Sequence, residues 1–462
     1  MESKKRLREL LTISSPIIME QVFITIMGLV NQLMVANAIG EHAVSAVGII
    51  DSVSNIMISV FAALTTGGTI IVAQYIGRKN MEEAKEAGSQ ALVLAVILSF
   101  FVMVFFYVFK VGMMNFLFDG TEKLVYDSGF SYFTIIMFSF PVLAITQTIF
   151  GVARGSGNTA TPMLITIIMN VFNVILGYLL IFPWKVNIFN WLNIESGGFG
   201  IEGAAWALLL ARLVGMILSV IHIIFLEKNI RLNKLKYFKI NFATQKNVLG
   251  IGIPTSVESS LFQVGRLITQ LYIVGMGTAA MFANSVSSNI FGFVNVPGNA
   301  LSTGVMILVG QKIGRGEEED VEKTTFFAVK AGAIMFLIIS IVLFPMTGLI
   351  GRAYNASDVS ARLINGILKS GFIATPIFWT SSFVTPAALR ATGDVKYTMI
   401  IAIASMWIVR IVLGYILGVT MGFGVYGVWV AMYSDWVIRG LFFTLRMKKG
   451  GWKKRLAVNM AK

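Results

Sequence analysis

Twelve runs of more than twenty predominantly apolar residues, divided by short charged or Gly/Pro-containing breaks, dominate this chain. A helix of roughly 20 apolar residues crosses the hydrocarbon of a bilayer, where every backbone amide must be satisfied internally. The runs therefore predict transmembrane helices over 14–39, 51–76, 88–110, 128–150, 161–183, 201–225, 248–275, 284–311, 326–350, 367–388, 397–419 and 425–445. With 56% of its 462 residues hydrophobic and 13% charged, the chain falls outside the soluble, disordered and fibrous classes. It has no cysteine, which excludes disulfides, thiolate metal sites and a Cys nucleophile. Its two histidines, His42 and His222, are too few for a zinc centre and read as solvated or hydrogen-bonded side chains.

The net charge of +14 comes from cationic loops rather than from a nucleic-acid partner. If the N-terminus is cytoplasmic, 27 of the 37 Lys and Arg residues lie on that side and six on the other, with Arg212, Arg266, Arg410 and Arg439 inside helices. This asymmetry predicts a multi-pass membrane protein with both termini in the cytoplasm. The basic start, Lys4 to Arg8, precedes a long span without a small-residue cleavage site and is read as part of an uncleaved first helix.

The chain also repeats itself. Pro16, Glu20 and Gln32 match Pro254, Glu258 and Gln270 at an offset of 238, and Val72–Arg78 matches Val309–Arg315 at 237. Arg154, Gly157 and Met163 match Arg390, Gly393 and Met399 at 236, and Phe199, Gly200 and Gly203 match Phe423, Gly424 and Gly427 at 224. The drop to 224 places an insertion in the loop 184–198, where Trp184 and Trp191 suit a membrane interface. The expected architecture is all-α: two pseudo-symmetric six-helix lobes, 1–226 and 248–462, joined by a basic cytoplasmic linker over 227–247 that contacts anionic lipid. Each lobe has an even number of spans, so the repeat is parallel, and such lobes usually enclose a central cleft and rock about it.

Charges deep in a bilayer cost at least about 2.5 kcal/mol each and mark function. The acids that qualify are Glu20, Asp51, Glu258 and Asp435. Asn31 lies eleven residues after Glu20, about 20° round the helix and roughly 16 Å along it, so one polar stripe runs down the first helix. On the seventh the equivalent pair is Glu258 and Thr269, with Arg266 and Gln270 nearby at i,i+4. Glu20, Glu258, Asn31 and Asp51 are the candidate cation-coupling residues, as proton acceptors or as oxygen ligands for sodium. Met27, Gln32, Phe262, Arg266, Gln270 and Trp379 are the candidate substrate-cleft residues. Asp435 and Arg439 have the i,i+4 spacing of a structural ion pair, whereas Arg212 and Arg410 have no local partner and could reach Asp51 or Glu20 across helices.

The segments Thr66–Gly68 with Val72–Arg78, Gly151–Thr159 and Gly198–Ala207, in that order within a doubled twelve-span chain, resemble the multidrug and toxic compound extrusion family. The resemblance implies a cation-coupled exporter of bulky, often cationic drugs in a bacterial plasma membrane. Such a protein works as a single chain on small organic substrates, uses no cofactor beyond its coupling ion (H+ or Na+), and is not an enzyme. The chain departs from the family at three acids: the first-helix acid is replaced by Asn31, and those of helices 7 and 10 fall near Phe262 and Trp379. An amide takes up no proton near neutral pH, though its carbonyl ligates sodium. The same resemblance admits a flippase for lipid-linked saccharides, but the few intramembrane arginines disfavour a diphosphate site. An intramembrane enzyme would need a cluster of acids or histidines, and a channel a filter that two lobes do not suggest.

Overall fold

The computed structural model describes residues 2–188, 192–196, 198–354 and 356–453. Its helices in chain order are α1 (Glu2–Ala38), α2 (Glu41–Gly77), α3 (Met81–Leu117), α4 (Lys123–Ile136), α5 (Ser139–Gly155), α6 (Ala160–Ile181), α7 (Gly200–Ile221) and α8 (Phe242–Val274). They continue with α9 (Thr278–Val294), α10 (Val296–Gly314), α11 (Glu318–Leu343), α12 (Thr347–Ala353), α13 (Asp358–Ala374), α14 (Thr380–Ala391), α15 (Val395–Ala404) and α16 (Gly424–Lys448). Among the described residues eight helical stretches are long and apolar enough to cross a membrane, and two bent pairs, α4 with α5 at 49° and α9 with α10 at 44°, bring the number to ten. The bends fall at Pro141 and Pro297, whose missing N–H interrupts the helical ladder. With α8 and α16, of 33 and 25 residues, the twelve expected spans are present; those two carry interior charges, Glu258 and Arg266 in one and Asp435 and Arg439 in the other.

Among the described residues the one departure from an all-helical chain is small. Part of the loop 184–198 forms an antiparallel hairpin, β1 (Trp184–Ile188) with β2 (Leu192–Ser196), while Trp191 lies outside the described residues.

Two compact units account for the packing. One comprises Met19–Val72 and Met81–Gly252. Its core is a cluster of Phe61, Phe106, Phe133, Ile136 and Phe140, with Phe106 edge-on to Phe133 at 5.6 Å. The segment following α7 is bound into this unit: buried Gln90 of α3 donates to the carbonyls of Tyr237 and Lys239 and accepts from the Asn241 amide, and Lys236 pairs with Glu82 at 2.9 Å. That contact holds the Lys236 ammonium above its ordinary range, chiefly through the hydrogen bond to Glu82. Nearby, buried Glu227 accepts from Asn158 at 2.7 Å, lies 3.0 Å from His222 Nε2, and accepts from the amides of Lys228 and Asn229. Burial alone would raise this carboxyl, but those hydrogen bonds outweigh it and hold it below the usual carboxylate range.

The other unit comprises Met1–Ile18, Ala73–Asn80 and Ile253–Lys462. Trp379, 2% exposed, anchors it between Phe336 at 5.0 Å and Phe383, stacked at 4.5 Å. Within this unit the two copies of the repeated Gln-x-x-Gly motif meet each other. A Cβ on Gly314 would lie 2.0 Å from the Gln74 carbonyl oxygen, and one on Gly77 2.1 Å from that of Gln311, so the two helix ends cross backbone to backbone. Another repeated glycine pair has a different cause. Gly157 and Gly393 end α5 and α14 with φ of +95° and +89°, and the next amides, Asn158 and Asp394, reach back to the carbonyls of Ala153 and Leu389. This is the left-handed helix cap that glycine forms without strain.

Candidate functional site

The repeated charges pair within each copy. Arg154, at the end of α5, directs Nη2 at both oxygens of Glu20 in α1, at 2.6 and 2.7 Å, and Thr166 donates to the same carboxylate at 3.2 Å. In the second copy Arg390, at the end of α14, reaches Glu258 in α8 at 3.2 Å. Glu20 is 3% exposed and Glu258 Oε2 is buried without a partner, so the guanidinium groups are what make the two carboxylates tolerable there. Neither glutamate lines the two cavities that follow.

The first cavity, about 240 Å³, lies within the unit built on α1 to α7. Asn31 and Gln32 of α1, Asp51 of α2, Tyr132 of α4 and Asn173 of α6 line it. Asp51 has no ion-pair partner within 4 Å among the described residues, and Asn31 Oδ1 is buried with no donor. Arg212 donates to Ser139 and acts on Asp51 and Tyr132 only through space. A carboxylate, three amides and a phenol therefore line a small void, a set whose oxygens suit a proton or a monovalent hard cation.

The second cavity, about 510 Å³, lies within the unit built on α8 to α16 and has the size of a drug-like ligand. It gathers Phe262, Arg266 and Gln270 of α8 with Trp379, the four candidate cleft residues of the second half. Trp429 donates to Asn284, which donates to Gln270, at 3.0 and 2.9 Å, fixing one wall. Trp379 and Arg410 sit in π-helical segments, Thr375–Trp379 and Ser405–Leu413, a distortion frequent at functional sites. The Arg410 guanidinium lies 5.6 Å from the Phe262 ring centroid, and Arg439 lies 5.8 Å from the same ring. Asp435 and Arg439 approach to 3.8 Å, as their spacing suggested. Of the remaining candidates Gln32 faces the first cavity and Met27 lines neither. Tyr132, Asn173, Asn284 and Trp429 escaped the sequence reading; single amides and aromatics inside apolar runs are the signal that marks them.

Known proteins match this geometry over nearly its full length. The MatE family model covers residues 16–179 and again 254–416, so its two copies begin at the repeat mates Pro16 and Pro254. The chain is 25% identical over 96% of its length, and 94% of the relative's, to a Bacillus subtilis protein described as the uncharacterized transporter YisQ. It is 25% identical over 97% of its length, and 93% of the relative's, to the probable multidrug resistance protein NorM of Thermotoga maritima. Among solved structures it superposes with a TM-score of 0.83, at 20% identity and 97% coverage of both chains, on a Pyrococcus furiosus transporter of the MOP superfamily described as having a binding pocket of reverse polarity. A multidrug resistance MATE transporter in an outward-facing conformation gives a TM-score of 0.84 at 19% identity and 96% coverage of both chains. With a doubled family match across a twelve-span membrane chain, and a polar cavity in each unit, the protein belongs to the MatE family of transporters.

Proposed function

We propose that the chain is a secondary active exporter of organic compounds that exchanges them for H+ or Na+ by alternating access, with both termini in the cytoplasm. The observation that supports this reading best is the division of labour between the cavities. A small one presents an unpaired acid, Asp51, with amide oxygens, and a larger one presents aromatic walls. Of the candidate coupling residues, Asp51 and Asn31 carry the reading, because Glu20 and Glu258 are engaged by Arg154 and Arg390. Binding a cation at Asp51 would favour one conformation of the protein and binding substrate another, and only such differential affinity drives exchange. The positive-inside asymmetry of the loops supports the orientation.

The test is uptake of a fluorescent organic probe into proteoliposomes under a pH gradient or a sodium gradient, each imposed alone. One gradient is expected to drive uptake, and Asp51→Asn is expected to abolish the response while the variant stays folded. Uptake in Asp51→Asn that still follows the gradient would remove this residue from coupling; no uptake of any probe by the wild type would remove the exporter reading.

A further inference from the structure

The larger cavity has a charge balance that an exporter of organic cations does not explain. Arg266 and Arg410 line it, and no acid does. Arg439 lies 5.8 Å from the Phe262 ring centroid and sits over the Phe383 ring at 4.5 Å. The acid near these three guanidinium groups is Asp435, fully buried: its Oδ1 accepts from the Ser405 hydroxyl, its Oδ2 lies 3.8 Å from Arg439 without a hydrogen bond, and its single charge also reaches Arg410 through space, one carboxylate against three guanidinium groups. Arg410 Nε is buried with no acceptor, and neither Arg266 nor Arg410 has an ion-pair partner within 4 Å among the described residues. The Trp436 ring also lines the cavity, 4% exposed, with an indole N–H that finds no acceptor. Arg410 Nε and the Trp436 indole thus offer donors with no protein acceptor around one void, beside a second permanent cation, Arg266, and one orphaned acceptor, Asn295 Oδ1.

Uncompensated charge at membrane depth is expensive, so the resting site is stabilised by whatever supplies the missing acceptor. A cationic substrate would add repulsion from Arg266 and Arg410. An oxyanion would satisfy both guanidinium groups and the indole donor, and guanidinium is the side chain best shaped to hold carboxylate or phosphate. The stacked Trp379–Phe383 pair and Trp429 supply flat apolar surface beside these donors. We infer that this cavity takes amphiphilic organic anions: an acidic oxyanion met by Arg266, Arg410 and Trp436, with a flat apolar body against the aromatic wall. The inference names the substrate class of the exporter reading and rests on it.

Fluorescence polarisation of carboxyfluorescein, titrated with the full-length protein in detergent, reads binding, and ethidium serves as a cationic probe of comparable flatness. The wild type is expected to bind carboxyfluorescein, with affinity at least ten-fold weaker in Arg266→Gln and in Arg410→Gln. Arg410→Lys, which keeps the charge, guards against a folding defect and should retain most of the binding. Arg266→Glu should shift preference toward ethidium by at least ten-fold. Unchanged anion binding in folded Arg266→Gln and Arg410→Gln, or a wild type that binds ethidium and not carboxyfluorescein, overturns the inference. Proteoliposome uptake of both dyes separates the two readings. If only ethidium is driven by a gradient, the exporter stands and the anion site falls; if carboxyfluorescein binds but no dye is ever transported, the site stands and the exporter falls. A fluorescent phosphatidic acid in the same vesicles tells the source of the oxyanion: competition with carboxyfluorescein points to a lipid headgroup, and its absence to a water-soluble anion.

Discussion

Glu20 shows how differently an intramembrane acid reads before and after its neighbours are known. Four residues past a helix-opening proline and repeated as Glu258, it has the look of a titrating group. The repeat also marks Arg154 and Arg390, yet nothing in the order of residues says that each glutamate meets the arginine of its own copy. That pairing arises only when the start of the bundle packs on the ends of α5 and α14. Removing one partner of a buried pair leaves the other charge uncompensated, which costs about 3–5 kcal/mol. Glu20→Gln is therefore expected to lower the melting temperature in detergent sharply, and Glu20→Gln/Arg154→Gln to recover most of the loss. A double variant as unstable as the single one would contradict the pairing argument. Glu227 makes a second prediction, with a sign in pH. Its carboxyl is held below its unfolded value, so its stabilising contribution is complete above about pH 4.3, the unfolded value, and fades as pH falls through the lower folded one. Glu227→Gln should be less stable than wild type at pH 7 by about 1–2 kcal/mol, from its lost charged hydrogen bonds. The difference should shrink as acid protonates the wild type, and a gap in melting temperature that stays constant from pH 7 to the acid limit would exclude this mechanism.

At the scale of elements, the repeat shows where local chemistry was kept and where it slipped. After α10 the helix cap is Gly316, at φ +76°, with the Glu317 amide bonded to the Lys312 carbonyl. After α2 the matching position is Lys79, at φ +60°, with the Asn80 amide bonded to the Tyr75 carbonyl. The two caps share one geometry, and only the second makes a side chain adopt the left-handed region, which costs about 1 kcal/mol. Lys79→Gly should raise the melting temperature without altering transport; a fall would mean that the Lys79 side chain contributes more than its backbone strain removes. The twelve spans were legible because hydrocarbon demands long apolar helices whatever the details of packing. The π-helical segments that carry Trp379 and Arg410 were not, because a one-residue widening of a helix leaves hydrophobic periodicity almost unchanged. The candidate site was legible in part: of the six expected cleft residues Phe262, Arg266, Gln270 and Trp379 line one void, Gln32 lines the other and Met27 neither, while Asn284 and Trp429, which hold the wall of the larger void, look like ordinary core residues.

On the whole-molecule scale, chain order and packing order part company. The two halves of the repeat suggest a cut in the basic connection, yet residues 1–18 and 73–80 pack with 253–462, and 227–252 pack with the first half's helices. The contacts responsible are close ones: Arg6 with Asp320 at 2.7 Å, Ser14 against Gly304, and the crossing of Gly77 with Gly314. Repeat symmetry in sequence reports how the chain was doubled, and it is blind to which ends of the first helices lean on the second copy. A chain severed after Asn233 therefore leaves a first fragment without the partners of its opening 18 residues, and a second fragment whose segment 235–241 has lost Gln90 and Glu82 of α3. Expressed alone, each fragment exposes packed backbone and buried polar groups to lipid or detergent, where they find no substitute. Neither is expected to purify as a single species, while the two expressed together should co-purify and transport the same substrate as the intact chain. A lone fragment that is monodisperse and melts like the intact protein would show that the crossing contacts contribute little to stability, and that each sequence repeat is self-sufficient.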